Sequence, residues 1–174
     1  MLYSLLKRHK KRKKGPLMAL HVVLHEPDIP GNTGNVARTC VGTNSTLHLI
    51  HPLGFSIEDK MLKRAGLDYW KHLSLREYDS IEHFFAENKK GRFFFVEDYG
   101  GNTYSDFDFS SIEEDIYFIF GSETKGLPLS LLEGKEDQCL RLPMSGNVRS
   151  LNLSNTVAVV VFEALRQKGF PNLS

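Results

Sequence analysis

Ile116–Phe120 reads IYFIF, five apolar residues with no polar position among them. A strand with one wet face alternates apolar and polar residues, so an unbroken run calls for cover on both faces. Arg92–Val96 (RFFFV) has the same character, and Leu20–His25 (LHVVLH) and Thr46–Ile50 (TLHLI) read as further strands. Helical stretches lie between them. Asn32 can cap a helix through about Gly42, because its side chain accepts from free backbone N–H groups. Ser80 can cap another, through Phe84, Phe85 and Ala86 to a stop at Lys89–Gly91. Strands that alternate with helices predict an α/β fold with a mostly parallel sheet flanked by helices.

The last helix is the most apolar. Val157–Leu165 reads VAVVVFEAL, with Glu163 its one polar residue, and Gly169 and Pro171 supply a stop. A surface helix needs a single apolar stripe, so this one is expected to be buried on two sides. In a domain of this size the second side falls to another subunit, which predicts a homodimer.

Charge is unevenly placed. Residues 1–17 hold seven Lys/Arg and no acid, leaving 15 of the 22 basic residues against 21 acids in the rest. We expect 1–17 to be a disordered basic arm or a non-native leader, and 18–174 to be one domain. Any RNA affinity of the acidic remainder must then come from a local basic patch. Lys60, Lys63 and Arg64, then Tyr69-Trp70-Lys71-His72, interleave bases with aromatics that can stack on exposed bases; a solvated helix beside a buried Trp70 is the plainer reading. Phe93–Phe95 reads as sheet core. No apolar run approaches the ~20 residues of a membrane span. Cys40 and Cys139 fit no metal or redox spacing, and the seven histidines show no ligand pattern. A cytoplasmic protein with reduced thiols and no metal is expected.

Three Gly/Asn-rich loops concentrate the polar chemistry. The first, Asn32-Thr-Gly-Asn35-Val-Ala-Arg38, follows a strand and opens a helix. Asn35 and Arg38, three apart, share a helix face, and the planar guanidinium suits a phosphate. The second, Phe120-Gly-Ser-Glu123-Thr-Lys-Gly126, leaves the most buried strand at the end where α/β sheets bind ligands. The third runs from Leu142 to Asn155 and precedes the apolar helix. Each loop alone also reads as ordinary structure: a cap with a surface arginine, a strand-to-helix turn, and a set of caps at Ser150, Asn152 and Ser154.

In this order, N-x-G-N-x-x-R, F-G-S-E-x-x-G and L-P-M-x-G-x-x-x-S-L-N-x-S resemble the three motifs of the SPOUT RNA methyltransferases. The short length and the EPDIPGNTGN and HPLGF segments are most similar to the tRNA (cytidine(34)-2'-O)-methyltransferase group. The resemblance covers Leu20 to the C-terminus. It implies a C-terminal deep trefoil knot, a homodimer, and S-adenosylmethionine held between the second and third loops, with S-adenosylhomocysteine as product. For the cofactor it implies Val96, Gly121, Glu123, Leu142, Ser150 and Leu151, with the Leu142 and Leu151 backbone at adenine and Gly121 beside the ribose. For catalysis it implies Arg38, Asn35, Ser150 and Asn152.

The reaction so implied is 2'-O-methylation of wobble nucleotide 34, cytidine or uridine, in the anticodon stem-loop of leucine tRNAs. The alternative target is another tRNA position or ribosomal RNA. Arg38 would be the general base, a demanding role for a guanidinium with pKa above ~12, or a cation that stabilises the forming alkoxide. Asn35 would orient Arg38 or the hydroxyl. Two rivals remain: a nicotinamide-dependent oxidoreductase, against which the missing G-x-G-x-x-G counts, and an RNA-binding module that has lost catalysis.

Overall fold

Two strands far apart in sequence form the middle of the sheet. β1 (Leu20–His25) pairs in parallel with β5 (Ile116–Phe120), Leu20 opposite Ile116 and Leu24 opposite Phe120. The computed structural model describes residues 18–56, 67–99 and 101–174. The basic arm and Lys60, Lys63 and Arg64 therefore lie outside the described residues.

β2 (Thr46–Ile50), β3 (Ser74–Tyr78), β4 (Arg92–Val96) and β6 (Cys139–Leu140) complete a six-stranded sheet in the order β3-β2-β1-β5-β4-β6. Every pairing is parallel. The expected α/β sheet is thus present, and all five residues of β5 are buried. β3 and β6 had no signal in the sequence. Four of the five residues of β3 are at least partly exposed, and β6 is two residues long, so neither carries an apolar run.

The pleat sorts the core into two layers. Leu20, Val22 and Leu24 pack with α1 (Pro30–Thr43) and α4 (Leu153–Lys168), whose contributions include Val36, Ala37, Cys40, Val157, Val160, Val161 and Leu165. Val23 and Ile119 point the other way, towards Phe84 of α2 (Ile81–Glu87) and Leu132 of α3 (Leu129–Leu132). Phe94 and Phe95 are core, as expected. Within one chain α4 is covered on one side, while Phe162 on the other is 48% exposed. Both cysteines are free and buried, and burial pushes the Cys40 thiol up to about 12.

Helix ends follow local chemistry in two cases and depart from it in a third. The Ser80 hydroxyl accepts from the His83 N–H at 3.2 Å, the expected cap. Asn152 caps α4, accepting from the Ser154 N–H at 2.9 Å, and Gly169 ends it at φ 73°. Asn32, expected as the cap of α1, is not the cap. The helix begins three residues earlier, with Pro30, whose fixed φ and missing N–H suit a first turn, and Ile29 caps it without a side-chain bond. The Asn32 side chain is left free for longer-range bonds.

A buried polar chain runs through the second layer. The Tyr117 hydroxyl donates to Asn88 Oδ1, and Asn88 Nδ2 donates to the Phe84 carbonyl and to the Tyr78 hydroxyl. Tyr78 must then donate to His48 Nδ1 (3.0 Å), and His48 Nε2 must donate to His21 Nδ1 (2.8 Å). The fixed direction makes both imidazoles neutral. It leaves the proton of His21 on buried Nε2, 3.7 Å from Asp115 Oδ2. Burial, reinforced by His21 and Arg76, lowers His48 to about 3; burial also lowers His21, against the opposing pull of Asp115.

A group lowered in the folded state leaves the unfolded chain binding more protons below pH ~6.5, so stability falls as pH drops from there towards about 3. The slope contributed by each such histidine is at most about 1.4 kcal/mol per pH unit. Urea midpoints measured between pH 7 and 5, where carboxylates contribute little, should decline with acidity. Midpoints constant across that range would contradict the neutral chain.

Candidate active site at the carboxyl ends of the central strands

The order β2-β1-β5-β4 reverses direction between β1 and β5, the place where α/β sheets open a crevice beyond their carboxyl ends. Loop 1 (residues 26–29, continued by the first turn of α1 to residue 32) leaves β1 there, and loop 2 (residues 121–128) leaves β5 beside it. They are bonded directly. Both Glu123 carboxylate oxygens accept from loop 1: Oε2 from the Asp28 N–H and Oε1 from Asn32 Nδ2, each at 2.8 Å. Asp28 returns the contact by accepting from the Thr124 hydroxyl and N–H, and that hydroxyl bond holds its pKa below the usual carboxylate value.

Loop 3 (residues 141–152) joins through the same asparagine. Asn152 Nδ2 donates to Asn32 Oδ1 at 2.8 Å, while Asn152 Oδ1 accepts from the Ser154 N–H and hydroxyl. Asn32, 7% exposed, is therefore the amide that links the second loop to the third. Its partners lie 91 and 120 residues away.

A second carboxylate secures the rear of loop 2. Glu97, just after β4, accepts from the Leu127 N–H at 3.0 Å and from the Asp98 N–H at 3.2 Å. The Glu97 N–H in turn donates to the Leu140 carbonyl at 3.1 Å, which ties the end of β4 to the start of loop 3. Gly126 has φ +69°, and a Cβ there would lie 2.6 Å from Glu97 Oε2. Gly121 is closed in by its own loop: a Cβ would fall 2.1 Å from the Gly126 carbonyl carbon and 2.4 Å from the Leu127 nitrogen.

The expected site residues therefore fall into two groups. Val96, Gly121, Glu123, Leu142 and Asn152 are brought together at the strand ends, with Ser150 and Leu151 adjoining Asn152 in the chain; Leu151 is 40% exposed. Asn35 and Arg38 stand on the exposed part of α1, with Arg38 about 9 Å further along the axis than Asn32 at 1.5 Å per residue. No hydrogen bond joins Asn35 to Arg38 among the described residues. The group next to Arg38 is Tyr69, from the 3-10 helix Leu67–His72: its guanidinium carbon lies 5.6 Å from the ring centroid. Asp28, Glu97, the linking role of Asn32 and the pairing of Tyr69 with Arg38 were missed in the sequence. A carboxylate one to three residues beyond a strand, as at Asp28 and Glu97, is the signal that could have marked two of them.

The pattern of the SpoU rRNA methylase family matches residues 19–162. A protein of Geobacillus stearothermophilus, provisionally named a tRNA (cytidine(34)-2'-O)-methyltransferase, is 59% identical over 157 residues, 90% of this chain and 100% of its own. The tRNA (cytidine(34)-2'-O)-methyltransferase of Burkholderia cenocepacia is 49% identical over 86% of this chain and 96% of its own. A solved structure described as giving insight into 2-OH methylation of C/U34 on tRNA superposes with a TM-score of 0.79 at 44% identity, covering 88% of this chain and 97% of that one. The chain belongs to the SpoU methylase family and is a methyltransferase.

Asn32→Ala should cost about 1–3 kcal/mol, because a half-buried Glu123 oxygen and the Asn152 amide both lose their partner. Asn32→Asp should cost more, since it sets a second carboxylate against Glu123; chemical denaturation of the two variants gives the order. Gly121→Ala should displace loop 2 and lower S-adenosylmethionine affinity at least tenfold by calorimetry. Unchanged affinity would remove loop 2 from the pocket.

Proposed function

We propose that this protein methylates the ribose 2'-hydroxyl of wobble nucleotide 34, cytidine or uridine, in leucine tRNAs, with S-adenosylmethionine as donor. The observation that carries the reading is the convergence of all three loops on Asn32 through Glu123 and Asn152. The names of the two relatives and the subject of the solved structure favour nucleotide 34 over other positions.

The residues at the strand ends fit an adenosyl donor. In loop 3 from Leu142 to Leu151, the one backbone bond to another backbone group among the described residues is Val148 N–H to Ser145 carbonyl, so most main-chain groups there are not used in backbone pairing, and Val148 and Leu151 are exposed beside them. Exposed amides beside apolar side chains suit a purine, and Leu142 and Leu151 are assigned to it. Val96 and Gly121 would flank the ribose, and Glu123 would hold loop 2 in place. When bound, the donor supplies an electrophilic sulfonium methyl. What remains for the protein is to orient the 2'-hydroxyl and manage its proton.

Arg38 meets the first task as a cation that orients the hydroxyl and stabilises the forming alkoxide, with its donors open to an adjacent phosphate. The hydroxyl proton passes to solvent water as the oxygen–methyl bond forms and the methyl–sulfur bond breaks. Ser150 and Asn152 would line the path of the methyl group, Asn152 being fixed at both ends of its amide, and Asn35 would orient the ribose hydroxyl. No metal takes part in this scheme.

The same reading includes the knot and the dimer. β6 sits beyond β4 at the sheet edge, whereas α4, which follows it, packs on α1. Loop 3 thus has to return across the strand ends, the path that a deep trefoil knot uses. The exposed Phe162 in the apolar Val157–Leu165 stretch of α4 supports a homodimer, whose shared surface would receive the anticodon stem-loop in the cytoplasm.

Arg38→Ala should abolish methylation while leaving S-adenosylmethionine affinity within about twofold, measured by methyl transfer to leucine tRNA and by calorimetry. Nucleoside mass spectrometry of tRNA from cells with and without the gene tests the substrate: the 2'-O-methylated wobble nucleoside should vanish. Its persistence would overturn the assignment to position 34.

A further inference from the structure

The Arg38 side chain has no hydrogen bond and no acidic partner among the described residues, yet it is not loose. Tyr69 holds it at two points. The ring lies 5.6 Å from the guanidinium carbon, within the range of a cation–π contact. The hydroxyl of the same residue donates to the Gly34 carbonyl at 3.1 Å. In α1 that carbonyl is the one that receives the Arg38 N–H, since helical bonds run from residue i to residue i−4. One side chain thus grips the backbone turn that carries Arg38 and also the tip of its side chain.

The chemistry of the contact matters as much as its position. An acidic partner would fix an arginine by occupying its N–H donors. A ring contact restrains the guanidinium without a carboxylate on its N–H donors, which have no hydrogen-bond partner among the described residues. An arginine that must bind a phosphate and a reacting oxygen needs that kind of restraint. It also loses less side-chain freedom when RNA arrives, because part of the ordering is already present.

We propose that Tyr69 is a positioning residue for Arg38 in methyl transfer, acting through its ring on the guanidinium and through its hydroxyl on the Gly34 carbonyl. This rests on the reading of Arg38 given under Proposed function. It also changes the expectation for Tyr69, from a platform for RNA bases to a platform for the protein's own arginine. Tyr69 does not touch the reacting atoms, so its loss should slow the chemical step without weakening the donor pocket.

The test uses Tyr69→Phe, Tyr69→Leu and replacement by pentafluorophenylalanine, which keeps the ring's shape and reverses its quadrupole. Tyr69→Phe should keep kcat on leucine tRNA within about threefold. Tyr69→Leu and the fluorinated ring should each lower kcat about tenfold, with the KM for S-adenosylmethionine unchanged. In arginine-labelled protein the Arg38 Nε–H resonance, identified by its loss in Arg38→Ala, should move towards the free-arginine position in the same two variants. A full kcat in both, or a loss matched by equally weakened donor binding, would overturn the proposal. Should Arg38→Ala itself retain turnover, the underlying reading fails instead, and the resonance still reports whether Tyr69 holds the side chain.

Discussion

The parallel pairing of β1 with β5 is the constraint on which the rest of the molecule depends. It brings together strands whose paired residues are 96 positions apart, Leu20 with Ile116 and Leu24 with Phe120. Because the strands run the same way, their carboxyl ends lie side by side, and the loops that follow leave the sheet as neighbours. The pairing is held by burial on both faces: Val22 and Phe118 join one core layer, Val23 and Ile119 the other. Each such side chain, fully buried, contributes roughly 1.5–3 kcal/mol. Many such side chains are buried along the two strands, so the sheet places the loops and the loop bonds refine them.

Refinement rests on groups whose partners come from other loops. Glu123 accepts from loop 1, Asn32 passes the connection to loop 3, and Glu97 holds the far side of loop 2. An asparagine suits the junction because one amide both donates and accepts, so it can satisfy a carboxylate and a second amide together. The same logic governs the buried chain from Tyr117 to His21, where the amide of Asn88 sets the direction of every bond. In both places polar groups inside the fold are tolerated because nearly every donor meets an acceptor. Arg38 is treated differently: it rests on a ring and keeps its donors free, as suits a cation that works on a phosphate and an oxygen from outside the protein.

The strands that were legible were those with apolar runs, which β1, β2, β4 and β5 all carry. Ile116–Phe120 and Arg92–Val96 lie where both faces are covered, and their sequences leave no other reading. Ser74–Tyr78 was not legible because an edge strand needs few buried residues, and Cys139–Leu140 because two residues carry no period. Asn32 shows the opposite failure. An asparagine before a helical stretch has the chemistry of a cap, and nothing local distinguishes capping from a bond to a carboxylate 91 residues away.

By itself, the sequence determined the class of fold, the order of the three loops and the presence of Arg38 on the helix that follows the first, since these depend on local pattern and on motifs within about 15 residues. Tertiary structure decided which groups meet: Glu123 with Asn32, Asn32 with Asn152, and Arg38 with Tyr69 rather than with Asn35. The physical reason is that hydrogen bonds and ring contacts act over a few ångströms in space. Separations of 31 to 120 residues along the chain leave no trace of them until the sheet has closed.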